Sequence, residues 1–424
     1  MKVKNIGVFG LGKLGSCFAT CFAYRGFNVL GCDINENIVN KINNHQAPFL
    51  EPNLQGLIDK SKNKLRATTD PKEVFNFSDI YFFIVPTPSN KDGSFSNEYL
   101  KKAIKQLADN LKQAKQFKIF AITSTVSPLS TQNEIIPFIE KLSGKKFNQD
   151  FTVIYNPTFI AIGDIIKGIL EPDLVLIGEN NKQAGDIIES LWKKVCLNNP
   201  FIARMSIVSA EITKIAINSY ITTRISFANM LGNICERIPG AEIDKITEAM
   251  GKDKRIGPYY FRYGTAYGGP CFPRDNKAFN NFAKRFSKID ALIPMAAHKI
   301  NEFQTKFLGD KILSILKENK LKSLTIIGLA YKPKTYVIEE SASINLIKYL
   351  LKKNKNLKIT VYDPIELATE ETKKIFSNDI DYAYNLESAI KNKLIILMLP
   401  DKIIKSKLPQ NKIIINCWRN LSWK

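Results

Sequence analysis

The residues best suited to chemistry lie in Tyr263-Gly-Thr-Ala-Tyr-Gly-Gly-Pro-Cys-Phe-Pro-Arg-Asp275, where one cysteine stands behind three glycines and between two prolines. Core packing asks for none of this. Gly264, Gly268 and Gly269 admit close approaches closed to other residues, and Pro270 and Pro273 stiffen the same loop. Cys271, with Arg274 and Asp275 beside it, is a candidate nucleophile because neighbouring cations favour the thiolate. The competing reading is a buried apolar cysteine, a common fate of this residue type. The loop alone leaves the two readings balanced.

A second constellation opens the chain. Asn5-Ile-Gly-Val-Phe-Gly10-Leu-Gly12-Lys-Leu-Gly15 reads as strand, tight turn and helix. Gly10, Gly12 and Gly15 keep the Gly-x-Gly-x-x-Gly spacing that lets a helix amino end approach a pyrophosphate. A second strand, Asn28 to Cys32, ends in Asp33. A carboxylate there accepts from both ribose hydroxyls and repels a 2′-phosphate, so the expected cofactor is NAD and not NADP. The alternation continues: Ile80 to Val85 leads into Pro86-Thr87-Pro88, Lys118 to Ile122 into Ser124-Thr125-Val126, and Thr152 to Tyr155 into Asn156-Pro157. Each is an ordinary turn taken singly. Recurring at successive strand ends, they mark the crevice of a doubly wound sheet.

From about 201 to 310 helical periodicity replaces strand signals. Within Ser209 to Tyr220, Glu211, Lys214 and Asn218 fall at i, i+3 and i+7, one polar stripe on an otherwise apolar helix. Such a stripe is either a solvated face or a lysine and an asparagine turned into a crevice. The helix is expected to run to Arg237, before Pro239-Gly240, long enough to link two domains. A second alternating block begins at Lys322: Leu324 to Ile327, Gly328-Leu-Ala-Tyr-Lys332-Pro, a helix after Ser341, Ile359 to Tyr362 ending in Asp363, then Leu394 to Leu399 and Lys412 to Ile415. Its turn lacks the second and third glycines, so no second dinucleotide is expected. Lys332 at a strand end suits a phosphate or base contact instead. The fold class is α/β: two Rossmann-like doubly wound parallel sheets joined by a central helical domain with a long connecting helix, divided as 1–200, 201–310 and 311–424.

Composition bounds the remaining classes. At 424 residues the chain is too long for one core, and 45% apolar with 24% charged residues is globular. The formal charge of +21 is spread along the whole length, which reads as compositional bias first and an anionic ligand second. No nucleic-acid motif accompanies it. Seven cysteines without a Cys-x-x-Cys pair point to a reducing, cytoplasmic setting, and with only His45 and His298 a metal site or a histidine triad is not expected. Ile6 to Ala23 behind Lys2 and Lys4 has the outline of a signal peptide, but Lys13 interrupts it and its glycines belong to the turn above. No membrane span is expected.

Assembled, these parts resemble the UDP-glucose/GDP-mannose dehydrogenase family over nearly the full length. The resemblance rests on the glycine turn with Asp33, Ser124-Thr125-Val126, Lys214-x-x-x-Asn218, Arg255-Ile-Gly257, Gly268 to Asp275, Gly328 to Lys332 and Val361-Tyr-Asp-Pro364. It implies an NAD domain, a central helical domain forming a homodimer, and a carboxyl-terminal domain gripping the nucleotide diphosphate of a nucleotide sugar. It further implies oxidation of the sugar C6 alcohol to a carboxylate with two NAD, through a thiohemiacetal and then a thioester on Cys271. Lys214 and Asn218 would hold the oxygen anion, Asp275 would orient or deprotonate water, and Thr125 would position it. By the same resemblance Gly10, Gly12, Leu14, Gly15, Asp33, Pro86, Thr87, Ser124, Thr125 and Arg274 belong to the cofactor site. Phe159, Lys214, Asn218, Arg255, Tyr260, Phe261, Arg262, Gly268 and Lys332 belong to the substrate site, with Arg255 reaching the neighbouring subunit's substrate.

The chain departs from the family pattern at two places. Thr158 stands where relatives carry a glutamate credited with a role in hydrolysis, and Glu339 stands where they carry an arginine before Glu-Ser-Pro. Near the end, Trp418-Arg419-Asn420 resembles the family's terminal Arg-Asn. The leading expectation is UDP-glucose to UDP-glucuronate, with UDP-N-acetylhexosamines and GDP-mannose open. A β-hydroxyacid dehydrogenase would share the dinucleotide turn and the Lys-x-x-x-Asn helix but transfer one hydride and need no cysteine. Thr158 keeps a third reading, a homologue that binds a nucleotide sugar with hydrolysis impaired.

Overall fold

Short runs of Val, Ile, Leu and Phe build two sheets, whose central strands are buried and whose edge strands are partly exposed. The structure, a computed structural model, describes residues 3–419; Lys2 and Asn420 lie outside them. The first sheet holds β1 (Asn5–Phe9), β2 (Asn28–Cys32), β3 (Leu65–Thr68), β4 (Ile80–Phe83), β5 (Lys118–Ile122), β6 (Phe151–Tyr155), β7 (Leu174–Gly178) and β8 (Phe201–Met205), in the order β3-β2-β1-β4-β5-β6-β7-β8. Strands covered on both sides by helices read as continuous apolar runs, which is how β1, β4 and β5 appear in the sequence.

The first six strands are parallel, as expected, but β7 meets β6 antiparallel at Tyr155 opposite Gly178, and β8 then pairs parallel to β7. The link between β6 and β7 carries a single helix of six residues, Ile165–Leu170. Antiparallel pairing does not require the longer crossover that a parallel neighbour would. The second sheet, β9 (Ser323–Ile327), β10 (Lys358–Tyr362), β11 (Asp381–Tyr382), β12 (Leu394–Leu397) and β13 (Ile413–Asn416), is parallel throughout in the order β11-β10-β9-β12-β13.

The chain divides into two compact units between Ala216 and Ile217. One long helix, Ile207–Cys235, runs through that point and stops two residues short of Arg237. In the first unit, one face of the sheet is packed by Phe18, Phe22, Phe82 and Trp192, the other by Phe9, Tyr81, Phe83 and Phe120. Cys17, Cys21 and Cys32 lie in this core, and burial pushes the Cys32 thiol up to about 12, which leaves it inert. Among the described residues no helix is long and apolar enough to cross a membrane.

The polar stripe of the long helix is neither a solvated face nor simply a crevice lining. Glu211 is fully buried, and its carboxylate accepts from the backbone N–H groups of Leu129 at 2.7 Å and Thr131 at 3.0 Å. It closes the loop that leaves β5, where Leu129 adopts a φ of 72°. Two effects oppose each other at this carboxyl. The N–H donors favour its ionised form, but burial dominates and pushes it up to about 7. The unfolded carboxyl ionises near 4.5 while the folded one keeps its proton, so the folded state binds more protons between those values and loses stability as pH rises. Thermal unfolding from pH 4 to pH 8 should therefore show the wild type losing up to about 3 kcal/mol relative to Glu211→Gln across this window. A pH-independent difference would show that the carboxyl does not titrate there.

Candidate functional site

In the first unit the glycine turn divides its labour in a way the three positions require. A Cβ on Gly15 would sit 1.8 Å from the Gly10 carbonyl oxygen, and one on Gly10, at φ 88°, would sit 2.4 Å from the Ile84 oxygen. These two glycines allow the helix Lys13–Tyr24 to press against the strands. Gly12 differs, since a Cβ there would meet nothing within 4 Å, and this glycine caps the helix without a side-chain hydrogen bond. The amino end of the helix thus faces open space, the shape a pyrophosphate needs. Asp33 is preset beside it: one carboxylate oxygen accepts from Leu11 N at 2.6 Å and the other from Asn35 N at 2.9 Å. Leu14, partly buried, packs against the core below.

The strand-end loops named in the sequence are stitched together. Ser124 Oγ accepts from Val85 N at 2.9 Å and donates to Val85 O at 2.7 Å, and Thr87 Oγ1 donates to Thr125 O at 2.7 Å. Pro86 is exposed between them. Asn156 turns away, its amide held in the core by Leu176 O and Trp192 Nε1. Two residues on, Lys214 Nζ donates to the Thr158 main-chain oxygen at 2.8 Å and lies 4.6 Å above the Phe159 ring. Lys214 is buried, so this lysine of the stripe does face inward. Glu51, a residue the sequence did not single out, holds the same loop by accepting from Gly163 N and Ile165 N.

In the second unit Cys271 is exposed, which removes the buried reading of this cysteine. It stands immediately before the helix Phe272–Phe282, where unsatisfied N–H groups favour negative charge. One turn in, Asp275 is 1% exposed and accepts from Asn218 Nδ2 at 2.6 Å. Arg274 Nε lies 3.8 Å from the other oxygen of Asp275. The turn before the cysteine is braced from one side by the carboxyl-terminal segment. Gly269 N donates to Glu339 O at 3.0 Å, and a Cβ on Gly268 would sit 2.2 Å from the Glu340 oxygen. Glu339 therefore meets the cysteine turn through its backbone, with its side chain exposed.

The remaining candidates are placed unevenly. Arg255 is exposed and paired with Asp253 at 2.6 Å. Its loop is held by Arg224, which the sequence reading missed, donating to the carbonyls of Ile256, Gly257 and Tyr259. Tyr260 is exposed and Arg262 half-buried, but Phe261 is 5% exposed and stacks on Phe227. Lys332 is buried at the rim of a small cleft of about 70 Å³ at the carboxyl ends of β9, β10 and β12, with Lys334, Asp363 and Asp401 around it. Among the described residues no cluster of three metal-ligating side chains occurs.

Three profiles of the UDP-glucose/GDP-mannose dehydrogenase family match: the NAD binding domain over residues 4–196, the central domain over 208–303 and the UDP binding domain over 325–420. The chain is 33% identical to UDP-glucose 6-dehydrogenase AglM of Haloferax volcanii over 92% of its own length and 89% of the relative's. It is 31% identical to GDP-mannose 6-dehydrogenase of Pseudomonas savastanoi over 97% and 95%. A solved UDP-glucose dehydrogenase from Pyrobaculum islandicum superposes with a TM-score of 0.89 at 25% identity, covering 99% of this chain and 95% of that one.

The glycine geometry makes two variants diverge. Gly15→Ala should unfold earlier, by about 1–3 kcal/mol, because backbone must move to admit the methyl group. Gly12→Ala should keep the wild-type unfolding temperature yet lose about tenfold in NAD affinity by titration calorimetry, about 1.4 kcal/mol. Equal behaviour of the two would contradict this division of roles.

Proposed function

The chain belongs to the UDP-glucose/GDP-mannose dehydrogenase family, and on that premise we propose that it oxidises UDP-glucose to UDP-glucuronate through a thioester on Cys271. It is an NAD-dependent nucleotide-sugar 6-dehydrogenase. The choice of sugar follows the UDP-glucose 6-dehydrogenases of Haloferax volcanii and Bacillus subtilis, with GDP-mannose the alternative that the Pseudomonas relatives keep in view. The observation that carries the mechanism is an exposed cysteine at a helix amino end, one turn from a buried aspartate that holds an asparagine amide.

Bound NAD supplies the hydride acceptor for both oxidations, one cofactor for each. In our reading Gly10, Gly12, Leu14 and Gly15 receive its pyrophosphate side, Asp33 its ribose, and Pro86, Thr87, Ser124, Thr125 and Arg274 complete the contact. Cys271 attacks the C6 aldehyde left by the first oxidation: a carbon–sulfur bond forms, and the carbonyl oxygen takes a proton to give a thiohemiacetal. Loss of the second hydride and of the hydroxyl proton leaves a thioester. Water then cleaves the carbon–sulfur bond, returning the thiol and releasing the carboxylate. Lys214 and Asn218 donate to the C6 oxygen while it carries negative charge. Asp275 holds a proton of the attacking water, and Thr125 orients that water.

Phe159, Tyr260, Phe261, Arg262, Gly268 and Lys332 line the nucleotide sugar in the same reading, and Arg255 extends to the substrate of a second copy. The segments 1–200, 201–310 and 311–424 serve as NAD, central and nucleotide-sugar domains. A homodimer is supported by the long helix, which exposes Tyr220, Phe227 and Ile234 seven residues apart on one stripe. Seven free cysteines fit a reducing cytoplasm.

Thr158 cannot serve as a base near neutral pH, so hydrolysis of the thioester should limit turnover. Incubation with NAD and UDP-glucose, GDP-mannose or UDP-N-acetylmannosamine, counting NADH per sugar consumed, should give two with UDP-glucose. Intact-protein mass spectrometry after a single turnover should catch the acyl adduct on Cys271, and Thr158→Glu should shorten its life. One NADH per sugar, or full activity in Cys271→Ser, would reject the reading; an unacylated enzyme at normal rate would reject slow hydrolysis.

A further inference from the structure

The backbone from Tyr263 to Tyr267 pairs with no strand, so its buried polar groups must find partners on side chains. Carboxamides from two helices supply them. From the helix Leu292–Glu318, Asn301 Oδ1 accepts from Tyr267 N at 2.7 Å while its Nδ2 donates to Tyr267 O at 2.9 Å. On the same helix Gln304 donates to Gly264 O at 2.7 Å and is itself oriented by Asn233 at 2.7 Å. From the long helix, Asn229 accepts from Gly264 N at 2.9 Å and donates to Thr265 O at 3.2 Å. All four carboxamides are buried. An amide offers an acceptor at one end and donors at the other, so a chain segment whose N–H and C=O meet both ends is held in position and in orientation.

Tyr267 is the last residue so held before the Gly268–Gly269–Pro270 turn, and it is tied to the far side of that turn as well. Its hydroxyl accepts from Asn276 Nδ2 at 3.1 Å, and its ring stands edge-on to Phe272 with centroids 6.0 Å apart. Asn276 and Phe272 belong to the helix that Cys271 opens. The two ends of the turn are therefore clasped through one tyrosine, whose backbone N–H and C=O are set by Asn301.

We propose that Asn301 is a positioning residue for Cys271: by pinning the backbone N–H and C=O that flank the Tyr267 Cα it sets where the glycine turn delivers the sulfur. The proposal rests on Cys271 being the nucleophile, and Asn301 acts through Tyr267. A displaced sulfur captures the aldehyde less often, so the aldehyde escapes and fewer than two NADH form per sugar. A misplacement of about 1 Å costs on the order of a hundredfold in rate.

Asn301→Ala and Asn301→Asp test this beside Asn229→Ala, which removes the same two-point hold further from the cysteine. Asp keeps an acceptor for Tyr267 N but sets an oxygen against Tyr267 O, so it remains informative if the alanine variant does not fold. Hydrogen exchange over residues 264–272 needs no substrate and should rise in both Asn301 variants across Tyr267 to Cys271. With the sugar that the wild type oxidises, hydroxylamine should trap released aldehyde in the Asn301 variants, with kcat for carboxylate down about tenfold to a hundredfold and KM nearly unchanged. Asn229→Ala should lose comparable thermal stability without releasing aldehyde. Wild-type exchange across the turn, or equal aldehyde release from the Asn229 and Asn301 variants, would overturn the proposal. Cys271→Ser separates the two readings: two NADH per sugar from that variant would reject the nucleophile, whereas unchanged exchange in the Asn301 variants would reject the clasp irrespective of the cysteine's role.

Discussion

Backbone that leaves regular structure inside a protein must still satisfy its N–H and C=O groups, and this molecule meets that demand with side chains placed for the purpose. Leaving one such group unpaired costs about 1–3 kcal/mol, so a loop held by several of these bonds has one geometry and not many. In the segment that leads to Cys271, from Gly264 to Tyr267, the partners are neutral carboxamides.

In the first unit the same demand is met by carboxylates. Asp33 takes Leu11 N and Asn35 N, Glu51 takes Gly163 N and Ile165 N, and Glu211 takes Leu129 N and Thr131 N. In the second unit Asp363 takes Leu329 N and Ile365 N at the carboxyl end of β10. Burial raises its carboxyl above the usual range, and the N–H donors pull the other way. Asp33 and Asp363 occupy equivalent strand ends but face different turns. Each accepts from the turn beside it, Asp33 from Leu11 N and Asp363 from Leu329 N, but the first turn leads through Gly12 into a helix end left open.

Much of this was legible from residue order, because its signals are local. A glycine turn between an apolar run and a small-residue helix defines β1 and its helix, and β2 and β5 begin and end at the residues expected. The four-residue β3 and the two-residue β11 escaped notice, being too short for a period to show. β7 and β8, and with them the reversal after β6, carry no proline turn at their carboxyl ends to mark them in the sequence. The clasping side chains were illegible for a different reason. Asn229, Asn233, Asn301 and Gln304 recur at helical spacing, the pattern of a wet face, and only a backbone segment distant in sequence turns them into partners. The available signal is carboxamides at i, i+4 (Asn229, Asn233) and at i, i+3 (Asn301, Gln304) within helices. Glu211 shares a helical stripe with Lys214 in the sequence but faces the loop after β5.

Lys214 grips the chain at Thr158 through the main-chain oxygen, an atom that every amino acid carries. Its placement is thereby indifferent to the side chain at that position. Residue 158 can therefore be exchanged without removing this hydrogen bond, and the ammonium keeps its mooring whatever side chain stands there.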